Sequence, residues 1–190
     1  ASGVVYIYKY VAGKWIYSTT ILSPVNTFAA FFGGAVNLKG NYLVVGATGF
    51  ASAGNEVGAA YVYNFNGSSW VLTQTITGNN IGAKFGQTVA INQFGTDVAV
   101  SEPYATVNGN LGNCGKVRVY HKFSATLLVQ QIIQDANPVA NENFGSALAL
   151  SASGNHIVVG AASKTVNGFA GNGYFGQFDR SSSTWTQTHT

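Results

Sequence analysis

Chemistry in this 190-residue chain would have to come from a short inventory. It holds the acids Glu56, Asp97, Glu102, Asp135, Glu142 and Asp179, the histidines His121, His156 and His189, and one thiol, Cys114. Hydrolysis needs a convergent acid and base, or a nucleophile beside a base. A metal centre needs several His, Cys or carboxylate ligands brought together. Neither pattern is visible: no two acids share a position in the repeat set out below, and the histidines are scattered. The expectation is a protein that is not an enzyme, with no cofactor and no metal site, in which these side chains are solvated. His121 is placed on a strand, His156 in a hairpin turn and His189 at the terminus. A lone cysteine excludes an intramolecular disulfide. Cys114, in GNLGNCGK, reads as a loop thiol, incidental or available to a partner.

The elements that carry this inventory repeat. FFGGAVNLKGNYLVVGA (31–47), FGQTVAINQFGTDVAVSEP (85–103) and FGSALALSASGNHIVVGAA (144–162) share one plan: Phe-Gly, an apolar strand, a polar turn and a second apolar strand. The Phe-Gly pairs begin at Phe32, Phe85 and Phe144, 53 and then 59 residues apart. A second register runs beside the first. Gly3, Gly58, Gly115 and Gly173 each open a strand; five residues on stand Tyr8, Tyr63, Tyr120 and Phe178, and twelve on stand Trp15, Trp70, Leu127 and Trp185. Period-2 alternation on both sides of a short polar turn reads as a hairpin. Each unit therefore holds four strands, and no segment has the 3.6-residue apolar period of a helix. Four-stranded antiparallel units at this period predict an all-β fold, a β-propeller segment.

The predicted organisation is one propeller segment over 1–190, of about three and a half blades and fourteen strands. It comprises the outer hairpin of an incomplete blade (3–22) and full blades at 32–76, 85–133 and 144–190. The opening half-blade, with no initiator Met or leader, reads as a processed or excised segment. Phe85 and Phe144 are the expected core anchors. Trp15, Trp70 and Trp185 are expected to pack between blades, with ligand stacking as the alternative. The fourth strands, as in WVLTQTI, read as exposed outer edges.

Charged residues make up 8% of the chain, against about 25% in ordinary soluble proteins, and the net charge of +3 comes without any Lys/Arg run. Nucleic-acid binding needs a basic stripe, and a membrane-spanning helix about 20 apolar residues; neither is seen. Asn66-Gly67-Ser68 is a candidate glycosylation site in a hairpin turn. The loops joining second to third strands are long and varied, and binding tends to sit on such loops. They nominate Phe50, Tyr104, Asn108, Asn110, Phe169 and Asn172 as residues that would meet a protein or glycan partner.

The Phe-Gly pairs, with Val45-Gly46-Ala47, Ser101-Glu102-Pro103 and Gly160-Ala161, resemble the FG-GAP repeat family, whose members include the propeller head of integrin α subunits. The co-registered Trp-x-x-Thr-Gln-Thr segments resemble the subtype found in large extracellular and surface proteins. The resemblance implies a non-enzymatic extracellular or cell-surface module for adhesion or structural assembly; the alternative is a carbohydrate-binding, lectin-like propeller. Its partners would include further propeller blades, from the same longer chain or another copy. The family's calcium loop is acidic. Here the corresponding turns are NLKGN (37–41), NQFGTD (92–97) and SASGN (151–155), with Asp97 their one acid. Calcium needs six or more oxygens, several of them carboxylate, so a calcium role is not expected.

Overall fold

The computed structural model describes residues 2–25, 28–107, 109 and 112–190. Strands β1 (Val4–Val11) and β2 (Lys14–Leu22) form an isolated hairpin. A first four-stranded sheet follows in the order β3 (Phe32–Lys39), β4 (Tyr42–Ala47), β7 (Ala59–Phe65), β8 (Trp70–Thr77). Between β4 and β7 lies a small hairpin, β5 (Ala51–Ser52) with β6 (Asn55–Glu56), where a plain loop was expected. The second sheet holds β9 (Val89–Ile91), β10 (Asp97–Glu102), β11 (Lys116–Phe123) and β12 (Thr126–Ile133). The third holds β13 (Phe144–Leu150), β14 (His156–Ala161), β15 (Tyr174–Ser181) and β16 (Thr184–His189). All pairings within these sheets are antiparallel.

Local chemistry explains the strand entries. Phe31, Lys84 and Asn143, each just before a Phe-Gly pair, take φ of 54°, 58° and 55°, and the glycines that follow take 89°, 89° and 98°. The chain thus enters through a left-handed turn, and the pairings Phe32–Ala47 and Phe144–Ala161 are followed by a bulge. Such bulges bend a strand and re-aim its side chains. Phe32, Phe85 and Phe144 are all buried.

Three apolar layers hold the stack together. The hairpin packs on the first sheet through Val5, Ile7, Ile21, Phe32, Leu43, Val45 and Tyr61. The first packs on the second through Val44, Ala60, Val62, Phe85, Ile91 and Val98. The second packs on the third through Ala99, Val117, Val119, Phe144, Ile157, Phe178 and Trp185. Consequently β10, covered on both faces, is buried throughout, whereas β14, covered on one, alternates buried with exposed or half-buried residues. Val36 on β3 is 52% exposed and its counterpart Val89 only 6%, because a sheet's inner strands precede β9 and the hairpin has none.

The tryptophans do not share one role. Trp185 is buried between the second and third sheets and donates to Gln130 Oε1 at 3.0 Å. Trp70 is half-buried. Trp15 is 71% exposed and packs on Tyr10 of its own hairpin, since nothing in the described chain lies beyond it. Among the described residues, no helix is long and apolar enough to cross a membrane.

Candidate functional site

The loops nominated as a partner face are tied to their neighbours through the backbone. Gly82 N donates to Glu56 O at 3.0 Å, and Asn141 N to Gly112 O at 3.0 Å. Tyr104, Phe169 and Asn172 are exposed there. Phe50 is not a presented loop residue: it is half-buried, packs edge-on against Tyr61 at 6.5 Å, and its carbonyl accepts from Val57 and Gly58. Asn108 and Asn110 lie outside the described residues. Asn66 is exposed in the β7–β8 turn, its Oδ1 accepting from Ser68 N and Ser69 N. Cys114 is buried and bonds Val139 O at 3.2 Å. Burial, with Glu142 and Asp135 nearby, pushes its thiol up, which makes it a poor nucleophile.

The expectation of solvated acids fails at Asp97, Glu102, Asp135 and Glu142, which are buried. Charge survives burial only when paired, and each has partners from a distant part of the chain. Asp97, at the start of β10, accepts from Asn92 Nδ2 at 2.7 Å and Thr96 Oγ1 at 2.8 Å inside its own turn. Its other oxygen meets His121 Nδ1 at 2.7 Å and Arg180 Nη1 at 2.5 Å, the latter from the third sheet. The one acid in the turns that correspond to calcium loops is therefore fully engaged in bridging two sheets. Glu102 pairs with Arg118, which also donates to Asn79.

His156 begins β14 rather than sitting in a turn, and bonds Asp179 at 2.7 Å. Hydrogen bonds from His156, Gln177 and Thr188 hold the Asp179 carboxyl down, to about 2. Asp97–His121 and His156–Asp179 occupy the same cross-strand register in successive sheets, with acid and base exchanged. Among the described residues the His121 ring bonds Asp97 and the His156 ring bonds Asp179, while Ser151 Oγ accepts from the His156 backbone N–H and not from its ring. Outside the pair, His121, Phe123, Gln130, Asn155, Arg180 and Ser182 line a cleft of about 450 Å³ between the second and third sheets.

Two glutamines join neighbouring sheets, and the sequence reading passed over both as edge residues. Gln74 Nε2 donates to Leu127 O while Leu127 N donates to Gln74 Oε1, both at 2.8 Å. Gln131 repeats this clamp on Trp185, at 2.9 and 2.8 Å. The signal was the constant offset of these glutamines, four residues after Trp70 and after Leu127.

A second buried charge cluster ties the connection after β12 to the loop after β14. Lys164 is ion-paired with Asp135, donates to Asn137 O at 3.1 Å, lies 3.4 Å from Glu142 Oε2, and sits 4.2 Å from the Tyr174 ring centre. One cation thus faces two carboxylates. Neither Glu142 oxygen has a hydrogen-bond partner among the described residues. Burial, and then Asp135, push its carboxyl up to about 7. A carboxyl raised in the fold makes the native state hold its proton more tightly than the unfolded chain does. The stability this brings is complete below the ordinary glutamate range and is lost as pH rises through about 7. Glu142→Gln should therefore gain stability relative to the parent chain between pH 5 and pH 8. Urea unfolding of both chains at the two pH values checks this; an unchanged difference between them would refute it.

The fold is all-β, built of stacked four-stranded antiparallel sheets, an arrangement consistent with propeller-like blades. Residues 21–63 match the model of the FG-GAP repeat. No curated protein matches the chain. Among solved structures, TolB from Acinetobacter baumannii is similar at 8% identity and a TM-score of 0.41, over 80% of this chain. The chain spans 31% of the length of that protein.

Proposed function

We propose that this chain is a non-enzymatic, extracellular or cell-surface module for adhesion or structural assembly, which acts by stacking repeat sheets face to face. The observation that carries the reading is the outer face of the third sheet. Val158 and Phe175 there are 40% and 52% exposed, while the corresponding Val44 and Ala60 of the first sheet are fully buried. Ala147 and Ala149 extend the same face. Contiguous apolar surface of this kind marks interaction sites, and the chain's few charges leave little repulsion to oppose contact.

Light scattering on the 190-residue chain over rising concentration tests the reading. Association is expected, and Phe175→Asp should weaken it. A folded, strictly monomeric chain at high concentration would end the proposal. A second reading, carbohydrate binding, is favoured by the 450 Å³ cleft, where Arg180, Asn155, Gln130 and Ser182 offer hydrogen bonds beside Phe123. Glycan-array binding lost in Phe123→Ala would support it, and a blank array would remove it.

A further inference from the structure

Lys164, Asp135 and Glu142 are buried together where the connection after β12 meets the loop after β14. Lys164 Nζ contacts Asp135 Oδ2 directly and lies 3.4 Å from Glu142 Oε2, with the Tyr174 ring centre 4.2 Å away. The other Asp135 oxygen, Oδ1, accepts from Asn137 N at 3.0 Å. An ion pair by itself does not call for lysine. Between the first and second sheets the comparable joint is Glu102 with Arg118 and Asn79. Arginine suits a buried pair better, having more donors and a weaker hold on water. Lysine differs in one chemical respect: its neutral amine is a nucleophile, whereas a guanidinium stays protonated.

Burying an ion pair carries a desolvation penalty that mutual attraction barely offsets. Here a second carboxylate faces the same cation, and its oxygens lack hydrogen-bond partners among the described residues. Charge balances when one further proton is present, on Glu142, whose carboxyl burial pushes up to about 7. Burial works to lower the Lys164 ammonium while Asp135 and Glu142 raise it, and the net direction is up. Its proton therefore leaves by transfer to a contacting carboxylate and not to water. A nucleophile, an electrophilic carbon and a proton carrier are thus held together away from solvent. Groups already in contact avoid most of the entropic cost of meeting. Condensation to a neutral amide removes both charges of the buried pair.

We propose that Lys164 and Asp135 condense to an isopeptide bond between Nζ and Cγ, with Glu142 as the catalytic acid and base. One proton passes from the ammonium to Asp135 Oδ2. The free amine attacks Cγ, and the charge that develops on Oδ1 is held by the Asn137 N–H. Glu142 gives its proton to the departing Oδ2 hydroxyl and takes one from the nitrogen. The Nζ–Cγ bond forms, the Cγ–Oδ2 bond breaks, one water leaves, and Glu142 ends as it began. The step happens once per chain and acts on no outside substrate, so it is independent of the assembly reading. Its product joins the second sheet to the third by a covalent link between positions 29 residues apart, which holds under forces that separate hydrogen-bonded sheets.

The test is the intact mass of the folded, purified 190-residue chain, read under denaturing conditions. It should be lighter than its sequence mass by one water. Protease digestion should then yield a branched peptide in which Asp135 and Lys164 are joined. Lys164→Arg, which keeps the ion pair, should stay at full sequence mass. So should Glu142→Gln, which keeps the shape but removes the proton carrier. The bond offsets the parent's stability equally at every pH, and burial still raises Glu142, so the pH comparison of Glu142→Gln stands beside this test. A folded parent chain at full sequence mass would overturn the proposal, whatever the variants do. A water loss that persists in Lys164→Arg would also overturn it, since that loss comes from a cyclised aspartate. Glu142→Gln forming the bond as fast as the parent would remove Glu142 from the step.

Discussion

Phe85→Ala should destabilise the chain by about 3–5 kcal/mol, the usual cost of deleting a fully buried phenyl ring. The ring is completely enclosed in the layer between the first and second sheets, with the Arg118 guanidinium 5.6 Å from its centre. Its removal leaves a cavity where two sheets meet, and the docked backbone on either side limits how far the site can collapse. A control comes from Phe94, which is also followed by glycine but lies in the β9–β10 turn and is 55% exposed. Phe94→Ala should change stability by less than about 0.5 kcal/mol, as surface substitutions do. Urea unfolding of the two variants separates a Phe-Gly pair that docks from one that does not. Equal effects would mean that the pairs do not anchor the sheets.

Gly115→Ala should be more disruptive than its single methyl suggests. The residue has φ of 84°, which costs a non-glycine residue about 1–2 kcal/mol. The new Cβ would also stand 2.1 Å from the Phe144 oxygen. Backbone cannot give way as a side chain does, so the second and third sheets must separate, and a total loss above about 3 kcal/mol is expected. Gly173→Ala and Gly13→Ala carry similar φ, 75° and 83°, with no crowding atom. They should cost about 1 kcal/mol, the backbone strain alone. The thermal midpoints of the three variants make the comparison. Gly115→Ala falling level with the other two would show that close sheet contact is not what this glycine serves.

Strand positions were readable because alternation and turn chemistry are local. The Phe-Gly pairs, the opening glycines and the β7–β8 turn at Asn66 all announce themselves within a few residues. The buried charges did not. Asp97 meets Arg180 across 83 residues, and nothing within a window of ten distinguishes a paired acid from a solvated one. Acids near turns were read as exposed because unpaired ones are. Gln74 and Gln131 were misjudged for a related reason: a polar side chain on an edge strand serves solvent or a neighbour equally well, and the neighbour enters only with the stack. Trp15 shows the converse. Its repeat position predicted burial, but burial there requires a preceding sheet. Phe50 was taken for a loop contact because the β5–β6 hairpin that follows it has too short a pattern to recognise.

The glutamine clamps have an evolutionary corollary. Gln74 and Gln131 grip main-chain N–H and C=O groups, at Leu127 in one case and Trp185 in the other. Such a joint is indifferent to the side chain it holds, so one repeat can be copied, deleted or exchanged without a matching change in its neighbour. Residues lining the clefts are then free to drift from one copy to the next. The exchanged order of Asp97–His121 and His156–Asp179 is the kind of divergence such a joint tolerates.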